Sequence, residues 1–115
     1  MNDNVQGWVN LYKPKNISSF YAIKKIKKKF NINKIGHAGT LDPLAEGILP
    51  IALGKTTKLI PFVSLGLKKY NFSVNWGTQT DTDDKEGNII NISNKIPNKI
   101  EIDKILNNFI GIQNQ

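Results

Sequence analysis

Cysteine and arginine are both absent from this 115-residue chain, and it holds a single histidine. Without cysteine there are no disulfides and no thiolate metal sites, which fits a cytoplasmic protein. One histidine leaves any metal site to be built from carboxylates, and no metal is expected. No stretch approaches the roughly 18 consecutive apolar residues of a membrane span. The N-terminus lacks the charged-then-apolar order of a signal peptide, so none is expected. Acids are scarce too: nine against sixteen basic residues, a net charge of +7. All sixteen bases are lysine. Lysine meets phosphate as a point charge and cannot form the bidentate fork of arginine. Isoleucine and asparagine are abundant, a composition expected of an A+T-rich genome. The length allows one small domain with a real core.

The charge is unevenly spread. Residues 1–69 carry twelve lysines and three acids (Asp3, Asp42, Glu46), giving +9, whereas residues 70–115 carry four lysines and six acids, giving −2. The first part is the candidate polyanion face. The alternative is a lysine-rich helix face that is simply solvated.

Residues 7–12 (Gly-Trp-Val-Asn-Leu-Tyr) read as a short strand, broken by Lys13-Pro14-Lys15-Asn16. Ser18 or Ser19 can cap a helix over about 19–30. Phe20, Ile23, Ile26 and Phe30 recur there at helical spacing, and Lys24, Lys25, Lys27, Lys28 and Lys29 fill the other faces. Gly36 to Ala45 reads as a structured loop. The apolar run Gly47 to Gly54 suits a strand buried on both faces, with Pro50 arguing for an edge or a bulge. Residues 55–63 form a short helix cut at Pro61. Residues 68–76 alternate, with Tyr70, Phe72, Val74 and Trp76 on one side, and predict a half-buried strand. A polar, acidic loop over 77–87 and a strand over 88–92 follow. Asn98 and Glu101 have capping-box spacing for a helix to about Phe109, with Gly111 at its C-cap. Interleaved strands and helices predict an α+β fold with a mixed, mainly antiparallel sheet and flanking helices.

Two motifs fail on spacing. Leu53-Gly54-Lys55-Thr56 resembles the end of a phosphate-binding P-loop, but position 49 is leucine where that loop needs glycine, so no ATP or GTP site is expected. Asp81 to Gly87 hints at a calcium loop, yet its fifth, sixth and twelfth positions are Lys85, Glu86 and Ile92, and it reads as an acidic turn.

Asp42 stands out. It lies in Gly36-His37-Ala38-Gly39-Thr40-Leu41-Asp42-Pro43-Leu44-Ala45, flanked by turn-permitting glycines and a proline that fixes its own φ. An aspartate before proline can merely start a turn. A carboxylate held still and partly desolvated there can also act as a nucleophile or stabilise developing positive charge. His37, in the same loop, can stack on a base or make a loop-stabilising hydrogen bond.

An ordered set of segments resembles the bacterial tRNA pseudouridine-55 synthase family, the TruB type, over essentially the whole chain. It comprises Gly7-Trp8-Val9-Asn10-Leu11 with Lys13-Pro14, Gly36 through Pro50, Leu53 through Lys58, Lys69-Tyr70, and Trp76-Gly77 with Thr80-Asp81-Thr82-Asp83. The resemblance implies that residues 1–115 are the N-terminal portion of a pseudouridine synthase catalytic domain. The rest of that domain and a small RNA-binding domain would be absent, and with them an arginine that pairs with the catalytic aspartate. It implies isomerisation of the uridine at position 55 in the tRNA T loop, after base flipping, with no cofactor. Asp42 would be the essential carboxylate, acting by attack on the sugar or through a glycal-type intermediate. Tyr70 would stack on the target base, and His37 would occupy the space that base leaves. Lys13, Lys55, Lys58 and Lys69 are the expected RNA contacts. Pro14, Gly36, Gly39, Thr40, Leu41 and Pro43 would support the loop, and Lys13 shares a motif with Pro14 that mainly does so. The expected partner is the T-arm stem-loop of tRNA, bound by a monomer. A non-catalytic tRNA-binding or RNA-folding module and an inactive truncated fragment are the alternatives.

Overall fold

The computed structural model describes residues 4–114; Met1–Asp3 and Gln115, the ends of the domain expected above, lie outside the described residues. The chain has the α+β character its sequence predicts, with small antiparallel sheets and three α-helices. It divides into two compact units, Met1–Lys69 and Tyr70–Gln115.

In the first unit, β1 (Gly7–Lys13), β2 (Ile35–His37) and β3 (Gly47–Leu53) form a sheet of order β1-β3-β2. Gly7 pairs with Leu53 and Lys13 with Gly47; Ile35 pairs with Leu53 and His37 with Ile51. β3 is therefore central, although Pro50 argued for an edge. Residues of an antiparallel ladder aim N–H and C=O at the same neighbour. The Pro50 carbonyl accepts from Ala38 N–H at 2.9 Å. Its nitrogen thus faces the β2 side just beyond the last pair at His37–Ile51, so the proline forgoes only the bond that would reciprocate Ala38, at the end of that ladder. The strand is buried on one face by Leu49, Ile51 and Leu53, and on the other only toward its end, where Ala52 is buried, Pro50 half-buried and Ile48 exposed.

α1 (Ser19–Phe30) begins at Ser18, whose hydroxyl accepts from Tyr21 N–H, and ends at Asn31 in the left-handed region. Ala22, Ile32, Leu49, Ile51 and Leu53 form the buried core, and Ile23 and Ile26 pack against it. Each fully buried aliphatic side chain contributes about 1.5–3 kcal/mol. The expected stripe is shifted: Phe20 is 76% exposed and Phe30 37%, while Ala22 takes the inward place. A 3₁₀ turn (Gly54–Leu59) leads into α2 (Ile60–Ser64). Pro61 lies in the first turn of α2 and starts that helix rather than cutting it, since its missing N–H is not needed there.

The second unit holds β4 (Thr78–Thr80), β5 (Ile89–Ile92) and α3 (Lys99–Leu106), continued by a 3₁₀ turn to Phe109. β4 and β5 pair antiparallel with a bulge at Gln79/Thr80, so a strand begins inside the expected acidic loop. Asp81 and Asp84 accept from the N–H groups of Asn88 and Glu86, which closes the turn. The capping box forms: Asn98 Oδ1 accepts from Glu101 N–H at 3.0 Å and Glu101 Oε2 accepts from Asn98 N–H at 2.9 Å. Gly111, at φ 95°, follows the 3₁₀ turn rather than α3 itself. The expected strand over 68–76 is not formed, and Tyr70, Phe72, Val74 and Trp76 are all exposed. Alternation reports a two-sided surface, but a strand also needs a ladder partner, and none of the described strands pairs with it.

Candidate active site

The Asp42 loop is held by two side chains, Lys13 and Ser19, and by the backbone N–H of Asn16. Val9, Leu11 and Lys13 alternate inward on β1, and Lys13 is fully buried. Its Nζ donates to the carbonyls of Pro14 (3.0 Å), Ile17 (2.8 Å) and Ala45, and at 3.4 Å to Pro43. Every partner is a backbone carbonyl, and two of them, Pro43 and Ala45, follow Asp42 closely in the loop. The sequence expectation of an RNA contact at Lys13 is therefore corrected. Its ammonium has no path to a phosphate and is spent within the protein.

Ser19 is also buried. Its Oγ donates to the Leu41 carbonyl at 2.8 Å and accepts from Leu41 N–H at 3.0 Å, so one hydroxyl satisfies both backbone groups of the residue before Asp42. Asn16, at φ 65°, donates its N–H to the Pro43 carbonyl at 2.7 Å. Asp42 itself closes a tight turn, its carbonyl accepting from Ala45 N–H at 3.0 Å. The residues before and after Asp42 are thus fixed from α1 and from the β1–α1 connection.

The Asp42 side chain is exposed, as are Thr40 and Pro43. This corrects the expectation of partial desolvation: the loop is rigid in its backbone, and the carboxylate is open to solvent. A substrate can reach it without displacing protein. Glu46, four residues on, sits 3.4 Å from Lys15 and holds the Tyr12 phenol above its ordinary pKa by hydrogen bonding.

His37 ends β2, and its Nδ1 lies 2.8 Å from the Gly39 carbonyl. A carbonyl only accepts, so Nδ1 carries the proton in this contact. Gly39 sits at φ 101°, a conformation that side-chain-bearing residues rarely adopt, with the Lys68 stem against it. Gly36 faces α2: a Cβ there would come within 2.7 Å of Ile60 Cδ1. Gly39 thus serves as a turn and Gly36 as a close approach to α2. Lys55 and Lys58 are exposed on the 3₁₀ turn after β3, and Pro14 and Lys69 are exposed. Tyr70 belongs to the second unit, with 63% of its surface exposed and no regular element around it.

Sequence reasoning missed Ser19 and Asn16 as loop holders. The Ser18-Ser19 pair offered two caps for one helix, and the spare hydroxyl was the available signal. Lys13 was legible from the inward period of Val9 and Leu11, had the strand been carried one residue further.

Residues 27–115 match the model of the TruB family pseudouridylate synthase N-terminal domain. A tRNA pseudouridine synthase B of Ehrlichia ruminantium (strain Gardel) is 52% identical over 109 residues, 95% of this chain and 37% of that protein. A tRNA pseudouridine synthase B of Wolbachia pipientis subsp. Culex pipiens is 54% identical over 107 residues, 93% of this chain and 30% of that protein. The chain spans about a third of the length of these curated relatives. Among solved structures, an H/ACA RNP bound to a substrate RNA containing 2'-deoxyuridine contains a chain that is 45% identical. That match covers 49% of this chain and 18% of the other, with a TM-score of 0.47. The position of Asp42 within the matched segment, and identity near one half over almost the whole chain, place this protein in the TruB family of pseudouridylate synthases.

Proposed function

We propose that the chain acts in the isomerisation of uridine to pseudouridine at position 55 in the T loop of tRNA, in the cytoplasm. The observation that carries this reading is the exposed Asp42 carboxylate on a loop whose two flanking residues are pinned by Lys13, Ser19 and Asn16.

In this reaction the bond from the sugar C1' to uracil N1 breaks and a bond from C1' to uracil C5 forms. The proton on C5 is lost and N1 gains one, so nothing is consumed. The target base leaves the folded loop first, which costs roughly a few kcal/mol. Asp42 is placed to act at the sugar, either as nucleophile at C1' or in forming a glycal-type intermediate. A fixed backbone spares the cost of ordering the carboxylate when the RNA arrives. His37, at the start of the same loop, fills the space the base leaves. Tyr70 stacks on the extruded uracil. Lys55, Lys58 and Lys69, in the basic part of the chain, contact phosphates.

The test is position-resolved pseudouridine mapping in an unmodified T-arm stem-loop incubated with the chain. The reading predicts product at the single T-loop uridine and none when that uridine is replaced by cytidine. RNA that binds and is never converted would overturn the isomerase assignment in favour of a binding module.

A further inference from the structure

α1 carries five lysines and no acid in twelve residues. Ala22 is buried and Ile23 and Ile26 pack against the core, while Phe20, Tyr21 and Phe30 are exposed. Lys24, Lys25, Lys27, Lys28 and Lys29 are all exposed, and none forms an ion pair among the described residues. Lys25 only lies over the Tyr21 ring, 4.9 Å from its centroid. Lys24 and Lys28, and Lys25 and Lys29, are like charges one turn apart and repel each other. The helix C-terminus favours Lys27, Lys28 and Lys29 and the Tyr21 ring favours Lys25, but no acid on the helix offsets the repulsion, and a bound polyanion would.

We propose that the solvent face of α1 is a second RNA-contacting surface, binding the phosphates of the stem rather than the nucleotide at Asp42. The identity of the RNA rests on the function proposed above; the surface itself does not. Ser19 ties the first turn of α1 to Leu41, beside Asp42. A helix of this length runs about 18 Å. Its last turn carries Lys27, Lys28 and Lys29, so the charge is densest at the end away from the Asp42 loop. Phosphates met there belong to nucleotides well removed from the reacting one. An anionic membrane is the other polyanion a basic helix can meet, but such helices bind by burying their apolar face. On α1, Ala22, Ile23 and Ile26 are already in or against the core, and the exposed Phe20 and Phe30 stand near opposite ends of the helix.

The experiment measures the affinity of the whole chain for an unmodified tRNA across a salt series. Three proteins are compared with the original: Lys24→Gln/Lys27→Gln/Lys28→Gln, the same three positions changed to Arg, and a control, Lys85→Gln/Lys95→Gln/Lys99→Gln, in the second unit. Glutamine keeps helix propensity close to that of lysine, and circular dichroism checks that the helix remains. The α1 glutamine protein should lose roughly two units from the slope of log affinity against log salt. It should also bind about tenfold or more weakly near 0.1 M salt. The arginine protein should keep the slope, and so should the control. Equal losses in the α1 and control glutamine proteins would reduce the effect to net charge and overturn the proposal. So would an unchanged slope for tRNA with weakened binding to anionic lipid vesicles. Pseudouridine output is scored separately. Product with an unchanged slope sinks this surface alone, and an α1-dependent slope without product sinks the isomerase reading alone.

Discussion

Replacing Lys13 by methionine removes the buried ammonium while keeping a long, flexible stem. Three carbonyls, those of Pro14, Ile17 and Ala45, lose a close donor, and Pro43 loses a longer contact. A carbonyl left unpaired in a buried site costs about 1–3 kcal/mol, so the gross loss is about 3–9 kcal/mol. Methionine avoids the several kcal/mol needed to desolvate an ammonium, and water reaching the exposed Pro14 end recovers part of the remainder. The expected net loss is about 2–4 kcal/mol, a large share of the roughly 5–15 kcal/mol that holds a small domain together. Urea unfolding reads it directly. Trp8 lies on β1 in the first unit, so Trp8 fluorescence in a Trp76→Phe background reports that unit. Amide exchange at Asn16 and Ala45, whose N–H groups bond to Pro43 and Asp42, should accelerate more than exchange at Trp8. Lys13→Arg should destabilise as well, because a planar fork does not fit carbonyls gathered around one nitrogen. A loss below about 0.5 kcal/mol for Lys13→Met, well under one stranded carbonyl, would refute the reasoning that this cage holds the loop.

Ser19→Ala leaves both backbone groups of Leu41 unpaired. It should cost about 1–3 kcal/mol in urea unfolding and lower pseudouridine formation more than tRNA affinity; the opposite ranking would contradict its positioning place. Gly39→Ala forces a Cβ onto a residue at φ 101° and should cost about 1–3 kcal/mol, measured the same way. In the second unit, hydrogen bonds from the Thr82 hydroxyl and then Glu86 N–H hold the Asp84 carboxyl below its ordinary pKa of 3.8. A lowered pKa favours the folded turn above 3.8, and that stabilisation is lost as pH falls through the folded value. Exchange of the Glu86 amide, corrected for its intrinsic pH dependence, should therefore accelerate in acid, and Asp84→Asn should abolish that change.

The elements of the first unit were legible because each has a local cause. Ser18 supplies a cap, Gly54 a stop, and Val9, Leu11, Leu49, Ile51 and Leu53 a period of two. The inward period of Val9 and Leu11 could place Lys13 inside, but its bonds to Pro43 and Ala45, thirty and thirty-two residues on, and those of Ser19 to Leu41, twenty-two residues on, were not legible. Local pattern carries no information on such pairings. The 68–76 segment shows the converse. Its alternation is plain, yet the strand it predicts needs a ladder partner the described residues do not provide. Asp42 was legible as a turn residue from its glycines and proline. Its exposure was not, because that depends on which side of the loop Lys13 and Ser19 fasten down.

The central claim, that the fixed and open Asp42 carboxylate performs the chemistry, is tested most directly by Asp42→Asn. Asparagine keeps the size of the side chain and removes its charge, and the backbone bonds of the loop do not involve the carboxylate. The account predicts unchanged urea stability, tRNA affinity within about twofold, and pseudouridine formation at the T-loop uridine reduced by at least about a thousandfold, or about 4 kcal/mol of barrier. Pseudouridine formed by Asp42→Asn at a rate near that of the unaltered chain would contradict it.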